Sequence, residues 1–194
     1  MENLENQINF LIEIDKLKNI ERKTKIISGS RLENDAEHSW HLAMMAIILH
    51  KQANHEIDLF KVIKMLLVHD LVEIDAGDTF AYDTKGQVDK YNREILAAKR
   101  LFGLLPEEQG NELMELWIEF ENKETNEAKF ASSLDRLQPL IHNYLNQGDT
   151  WRKYKITSEQ VINRNSEISK GSESLWEYAK QIINKSVDQG ILSK

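Results

Sequence analysis

A chain of 194 residues, 41% of them hydrophobic, has the length of one domain and enough apolar side chains to bury a core without disulfides or structural metals. It has no cysteine, which excludes thiol catalysis, disulfides and thiolate metal sites, so a transition metal must be held by His, Asp or Glu. With 25 basic and 32 acidic residues the net charge is −7, a poor match for a nucleic-acid polymer, whereas a small phosphate ligand needs only a local cation cluster and a metal.

The chain opens MENLENQINF, with two acidic residues and no basic segment, so it does not read as a signal peptide. Its apolar runs are too short to cross a bilayer, and the cytoplasm is the expected compartment. Two prolines and eight glycines leave room for long helices, and no repeat or linker marks a second domain. Residues 4–18 carry Leu4, Ile8, Leu11, Ile12 and Ile14 on one helical stripe. A short basic cluster, Glu21-Arg22-Lys23-Thr24-Lys25, and the turn Ser28-Gly29-Ser30-Arg31 follow.

Asn34 with Glu37 three residues on forms a capping-box pair, opening a second helix that runs through Leu42, Met45, Ile48 and Leu49 to about residue 54. A third is expected over 59–74, ended by Gly77 and a loop over 75–87. A fourth spans 88–102. Pro106 suits the first position of a fifth, with Glu107 and Glu108 complementing its dipole and Leu113, Leu116 and Trp117 continuing it. A sixth covers 126–146, where Pro139 kinks the helix or removes one hydrogen bond. Thr157 and Gln160 form a second capping pair that opens a last helical stretch towards residue 191. No segment alternates convincingly with period two, so the expected fold is all-α.

Chemistry concentrates at a few positions in these helices. His69 and Asp70 follow the apolar run Val62, Met65, Leu66, Leu67, Val68, and Glu73 shares their face of the helix. Burying such a pair is costly unless it is hydrogen-bonded, paired or metal-bound. Taken alone, such a dipeptide is more often a structural buried pair or a solvated helix end. His38 lies in the first turn of the second helix; His41 is a rival, but needs a different face from Leu42 and Met45. Asp135 interrupts the apolar stripe Phe130, Leu134, Leu137, Ile141 and wants a cation, which Arg136 beside it could supply.

Taken together, His38, His69-Asp70 and Asp135 on three helices resemble the HD-domain metal-dependent phosphohydrolase superfamily. The segments R-x-E-N-x-x-E-H-S at 31–39, H-D-x-x-E-x-x-x-G-D at 69–78 and E-A-K-F-x-x-x-L-D at 127–135 are similar to the branch containing bacterial 5′-deoxynucleotidases and eukaryotic HD-domain-containing protein 2. The similarity spans residues 11–144, implying a single HD domain over 1–194 with a helical extension at 157–191. It implies His38, His69, Asp70 and Asp135 as metal ligands, Glu73 as the catalytic proton handler, Arg22 on the substrate phosphate and Asp78 on the sugar. Two imidazoles and two carboxylates suit one Mn, Co, Fe, Mg or Zn ion. No histidine lies between His69 and Asp135, so the site is expected to be mononuclear.

The implied substrate is a small phosphomonoester, foremost a (deoxy)nucleoside 5′-monophosphate, and the implied assembly a homodimer without nucleic-acid or membrane partners. In the bacterial enzymes a Trp after the phosphate-binding Arg disfavours the ribose 2′-hydroxyl. Here Lys23 takes that place, leaving sugar selectivity open. Two other readings stand beside this one. One is an HD-type hydrolase of nucleoside triphosphates or guanosine alarmones. The other is a non-catalytic metal-binding scaffold that docks through the C-terminal stripe Val161, Ile168, Leu175, Trp176, Ile182, Ile183.

Overall fold

The computed structural model describes residues 1–194. Helix α1 (Glu2–Ile14) runs into a 3₁₀ segment, Asp15–Asn19. Phe10 and Leu17 are its buried side chains, while Leu4, Ile8, Leu11 and Ile12 face solvent. The expected stripe thus exists but points away from the core. Periodicity identifies an apolar face without saying what covers it.

The basic cluster is a strand, which corrects the expectation of no strands. β1 (Glu21–Lys25) pairs antiparallel with β2 (Leu32–Asn34), with Glu21 opposite Asn34 and Lys25 opposite Leu32. The hairpin turns through Gly29, whose φ of 71° lies in the left-handed region open to glycine. Only Thr24 of β1 is buried, so the strand carries charges in place of the usual apolar alternation. Its direction sets the site, because it carries Arg22 inward and delivers the chain to Asn34.

Helix α2 (Asp35–Leu49) opens on the expected capping box: the Glu37 amide donates to Asn34 Oδ1 at 2.9 Å, and the Asn34 amide to Glu37 Oε2 at 3.2 Å. A 3₁₀ turn, His50–Gln52, prolongs it. Helix α3 (Leu59–Val68) is capped by Asp58 and stops six residues before the expected end. Beyond His69 the hydrogen bonds tighten to the i→i−3 pattern, Leu71 to Val68 and Glu73 to Asp70, before a short α4 (Glu73–Ala76) ends at Gly77, φ 75°. In such a turn residues three apart eclipse. That places Asp70 and Glu73 on one side of the turn, one above the other.

Helices α5 (Lys90–Phe102) and α6 (Glu107–Asn122) follow, with Pro106 capping α6 one position earlier than expected. Helix α7 (Asn126–Leu145) continues past Pro139. A proline there has no N–H for the carbonyl four residues back, that of Asp135. The expected last stretch is divided: α8 (Asp149–Lys153), unforeseen, then α9 (Ser158–Asn165) on the Thr157–Gln160 box, α10 (Ile168–Gly171) and α11 (Glu173–Asp188). Gly171 is needed at the break, because a Cβ there would lie 2.3 Å from the Lys129 carbonyl oxygen of α7.

Apolar side chains gather in two groups. The larger surrounds α7 and draws Leu42, Met65, Leu66, Phe120, Leu134 and Leu137 together with Val161, Ile168, Leu175, Ile182 and Ile183. The C-terminal stripe therefore covers this core and offers no free docking face. The smaller holds Phe10, Leu101, Phe102 and Trp117 with Val68, Leu71 and Val72. His69 and Asp70 lie on the seam, with Met65 and Leu66 of the first group before them and Val68, Leu71 and Val72 of the second on either side. Burying each large aliphatic side chain stabilises by roughly 1.5–3 kcal/mol. The seam is held from both sides.

Candidate metal centre

Three of the four expected ligands converge. His38 is fully buried in the first turn of α2, His69 caps the end of α3, and Asp135 sits midway along α7. Their donor atoms lie within 4.8 Å of one another. His38 Nε2 is 3.1 Å from Asp135 Oδ1, and His69 Nε2 is 3.9 Å from the same oxygen. Asp70 completes the group from the side, with Oδ1 at 3.1 Å from His69 Nε2 and Oδ2 at 4.0 Å from His38 Nε2. His41 is elsewhere, beside Glu33 and His142. Arg136 does not serve as the partner of Asp135; its Nη1 donates to the Arg164 carbonyl at 2.6 Å.

The hydrogen bonds assign which ring nitrogens face inward. His69 Nδ1–H donates to the Leu66 carbonyl at 2.9 Å, leaving the Nε2 lone pair inward, where this buried atom has no hydrogen-bond partner. His38 Nδ1 faces Gln138 Oε1 at 3.2 Å. That amide is oriented by its own Nε2, which donates to Glu33 Oε1 at 2.6 Å and to His142 Nε2 at 3.2 Å. Gln138 therefore accepts from His38 Nδ1–H and leaves Nε2 facing Asp135. Two imidazole nitrogens facing two carboxylates at a buried point call for positive charge between them. The donors present thus fit a divalent metal, with the outer nitrogens held as in metal-binding histidines.

Electrostatics around these atoms are dominated by burial and crowding of acids. Burial alone would raise Asp135, but the hydrogen bond from His38 and the charges of His38, His69 and Arg22 hold it well below the carboxylate range. Asp70 is likewise lowered against its burial, by His69 and then Arg22. Burial and Arg22 disfavour a charged His38, yet Asp135 and Glu33 carry its pKa up to about 9 without a metal.

A second carboxylate group adjoins the first: Asp35, Glu73 and Asp78 also bring oxygens within 4.8 Å of one another. Burial, then the charges of Asp70, Asp35 and Asp78, raises Glu73 well above its ordinary range, and one of its oxygens has no partner. Burial and Asp70 push Asp35 up to about 6. Arg22 lies between the two groups. Its Nη1 donates to Asp70 Oδ2 at 2.9 Å and to Asp35 Oδ1 at 3.0 Å. Arg22, Lys23 and Asp78 line one cleft; His69, Asp70 and Asp135 line a second.

Asp35, Glu33, Gln138 and His142 escaped the reading of the sequence. Each is a polar residue next to a cap or on a helix with ordinary polar neighbours, and only their near-complete burial marks them. Gln138→Leu is expected to weaken metal binding by about 10–100-fold, the usual effect of losing an outer partner of a ligand. Leaving Glu33 and His142 unpaired should also cost about 1–3 kcal/mol. Metal titration and denaturant melts of the variant measure both.

Comparison with known proteins adds four findings. A family model described as an HD domain matches residues 14–176. The chain is 33% identical over 147 residues to 5′-deoxynucleotidase HDDC2 of Dictyostelium discoideum, covering 73% of this chain and 77% of that protein. It is 30% identical to human 5′-deoxynucleotidase HDDC2, covering 69% of this chain and 65% of the relative, just under two thirds of its length. Among solved structures, one described as a predicted metal-dependent phosphohydrolase from Magnetospirillum magnetotacticum superposes with a TM-score of 0.96 at 47% identity, covering 100% of this chain and 97% of the other.

Proposed function

The chain belongs to the HD-domain family, and from that premise we propose that it is a metal-dependent phosphohydrolase acting on small phosphomonoesters, foremost (deoxy)nucleoside 5′-monophosphates. One observation supports the reading above the others: His38 and His69, their outer nitrogens held by Gln138 and the Leu66 carbonyl, turn their Nε2 atoms to a point shared with Asp135 and Asp70, beside a cleft. These four residues hold one divalent ion. When bound, such an ion lowers the pKa of a water and polarises a phosphoryl group.

The chain's own residues do the rest. Arg22 fixes Asp70 and Asp35 in place and presents positive charge to the phosphate. Glu73, held beside Asp35 and Asp78 with a free oxygen, takes or returns a proton at the reacting oxygens. Asp78, in the cleft with Arg22 and Lys23, meets the sugar hydroxyls. The relatives' names favour deoxynucleotides, and Lys23 leaves room for ribose as well. We assign the protein to the cytoplasm as a homodimer; no helix is long and apolar enough to cross a membrane, and the exposed Leu4, Ile8, Leu11 and Ile12 of α1 support self-association.

The test is phosphate release from a panel of ribo- and deoxynucleoside 5′-monophosphates, nucleoside triphosphates and alarmones with added divalent metals. Inorganic phosphate from monophosphates is the expected product. Pyrophosphate or tripolyphosphate alone would move the chain to the other HD reaction, and no product at all to a scaffold.

A further inference from the structure

The cations lining the cleft are not equivalent. Arg22 is matched inside the protein by Asp70 and Asp35, with Glu33 at 3.9 Å from its Nε. Arg136 and Arg164 are not matched. Arg136 reaches only the Arg164 carbonyl, its Nε is buried without a partner, and neither guanidinium joins an ion pair. Burial, and then the neighbouring Arg136, lowers the pKa of Arg164 against the opposing charge of Asp135, as expected for two positive charges held together away from water. Both side chains line both clefts, so they stand where the metal-side cleft meets the one holding Lys23 and Asp78. Arg136 directly follows Asp135 on α7, and Arg164 comes from the last turn of α9.

Uncompensated guanidiniums at partly buried positions are costly unless an anion joins them, and their planar forks match phosphate oxygens bidentately. We propose that Arg136 and Arg164 form the phosphate-binding pair of this site, gripping the non-bridging oxygens of a phosphomonoester whose phosphorus lies in the cleft of His69, Asp70 and Asp135. This rests on the phosphohydrolase reading. The cations then divide the work: Arg22 orders the carboxylates and adds its charge from the β1 side, while the α7–α9 pair grips the phosphate oxygens. The α9 segment, outside the three HD-type sequence segments, thereby becomes part of the site.

Arg164→Gln is the primary variant, because the Arg164 side chain makes no hydrogen bond within the protein; Arg136→Gln and Arg164→Lys accompany it. Inorganic phosphate binding to metal-loaded protein is followed by calorimetry, and KM and kcat are measured on a nucleoside monophosphate. Loss of charged hydrogen bonds should weaken phosphate binding and raise KM by roughly 10–100-fold in Arg164→Gln. Metal content should be unchanged and the melting temperature without phosphate no lower than that of wild type, with partial recovery of binding in Arg164→Lys. Unchanged phosphate affinity and KM in both glutamine variants, with wild type active, overturns the pair and leaves the reading standing. Phosphate binding lost in the variants while wild type hydrolyses nothing keeps the pair and overturns the reading. A phosphate effect without a KM effect also overturns the pair as a substrate site.

Discussion

Asp70→Ala is expected to abolish phosphate release, lowering kcat by roughly 1,000-fold or more, because Lewis-acid activation worth several kcal/mol goes with the metal. The substitution removes two things together. It deletes the carboxylate beside His69, and it takes from Arg22 one of the two oxygens its Nη1 binds. Breaking a buried ion pair from one side costs about 3–5 kcal/mol. Relief of the repulsion with Asp35, Glu73 and Asp78 offsets part of that, so the variant should fold with a lower melting temperature. Asp70→Asn separates the effects: it keeps an oxygen for Arg22 and should fold nearly normally, yet bind metal poorly. Activity, metal content and melting temperature of the two variants make the comparison. Full activity in either contradicts the assigned centre.

Glu73→Gln should behave in the opposite way. The amide keeps the shape and can donate to Asp35, but cannot exchange a proton. A fall in kcat of about 100–10,000-fold with KM and metal content nearly unchanged is expected from the loss of a general acid–base group. Stability should rise. The folded chain raises the Glu73 pKa, chiefly by burial, so between the ordinary carboxylate range and the folded value the native state binds more protons than the unfolded state. Stability then falls as pH increases through that window, and Glu73→Gln removes the loss. Chelator-treated protein melted at neutral pH should show a higher melting temperature for the variant and a weaker decline with pH. A purely structural Glu73 would give the reverse: lower stability with activity retained.

Legibility of the site followed the apolar pattern. His69 and Asp70 stood out because Val62, Met65 and Leu66 predict burial, and Asp135 because it breaks a stripe of Phe130, Leu134 and Leu137. The capping boxes at Asn34 and Thr157 were readable because their hydrogen bonds are local. Long-range pairings were not. The tightened turn after His69 contains no glycine or proline to announce it and is imposed by the two apolar groups on either side. The hairpin of Glu21–Lys25 is written in charged residues whose partners lie across the fold. Gln138 and Arg164 look like surface polar residues until α2 and α7 bury one and the α7–α9 contact brings the other to the cleft.

The central claim is that His38, His69, Asp70 and Asp135 hold a single divalent ion on which phosphomonoester hydrolysis depends. Chelator-stripped protein, titrated with Mn²⁺ or Co²⁺ while bound metal and phosphate release are measured together, tests it most directly. Activity should rise in step with metal and level off at one ion per chain. Undiminished activity in the stripped protein, or a plateau only at two ions, would contradict it.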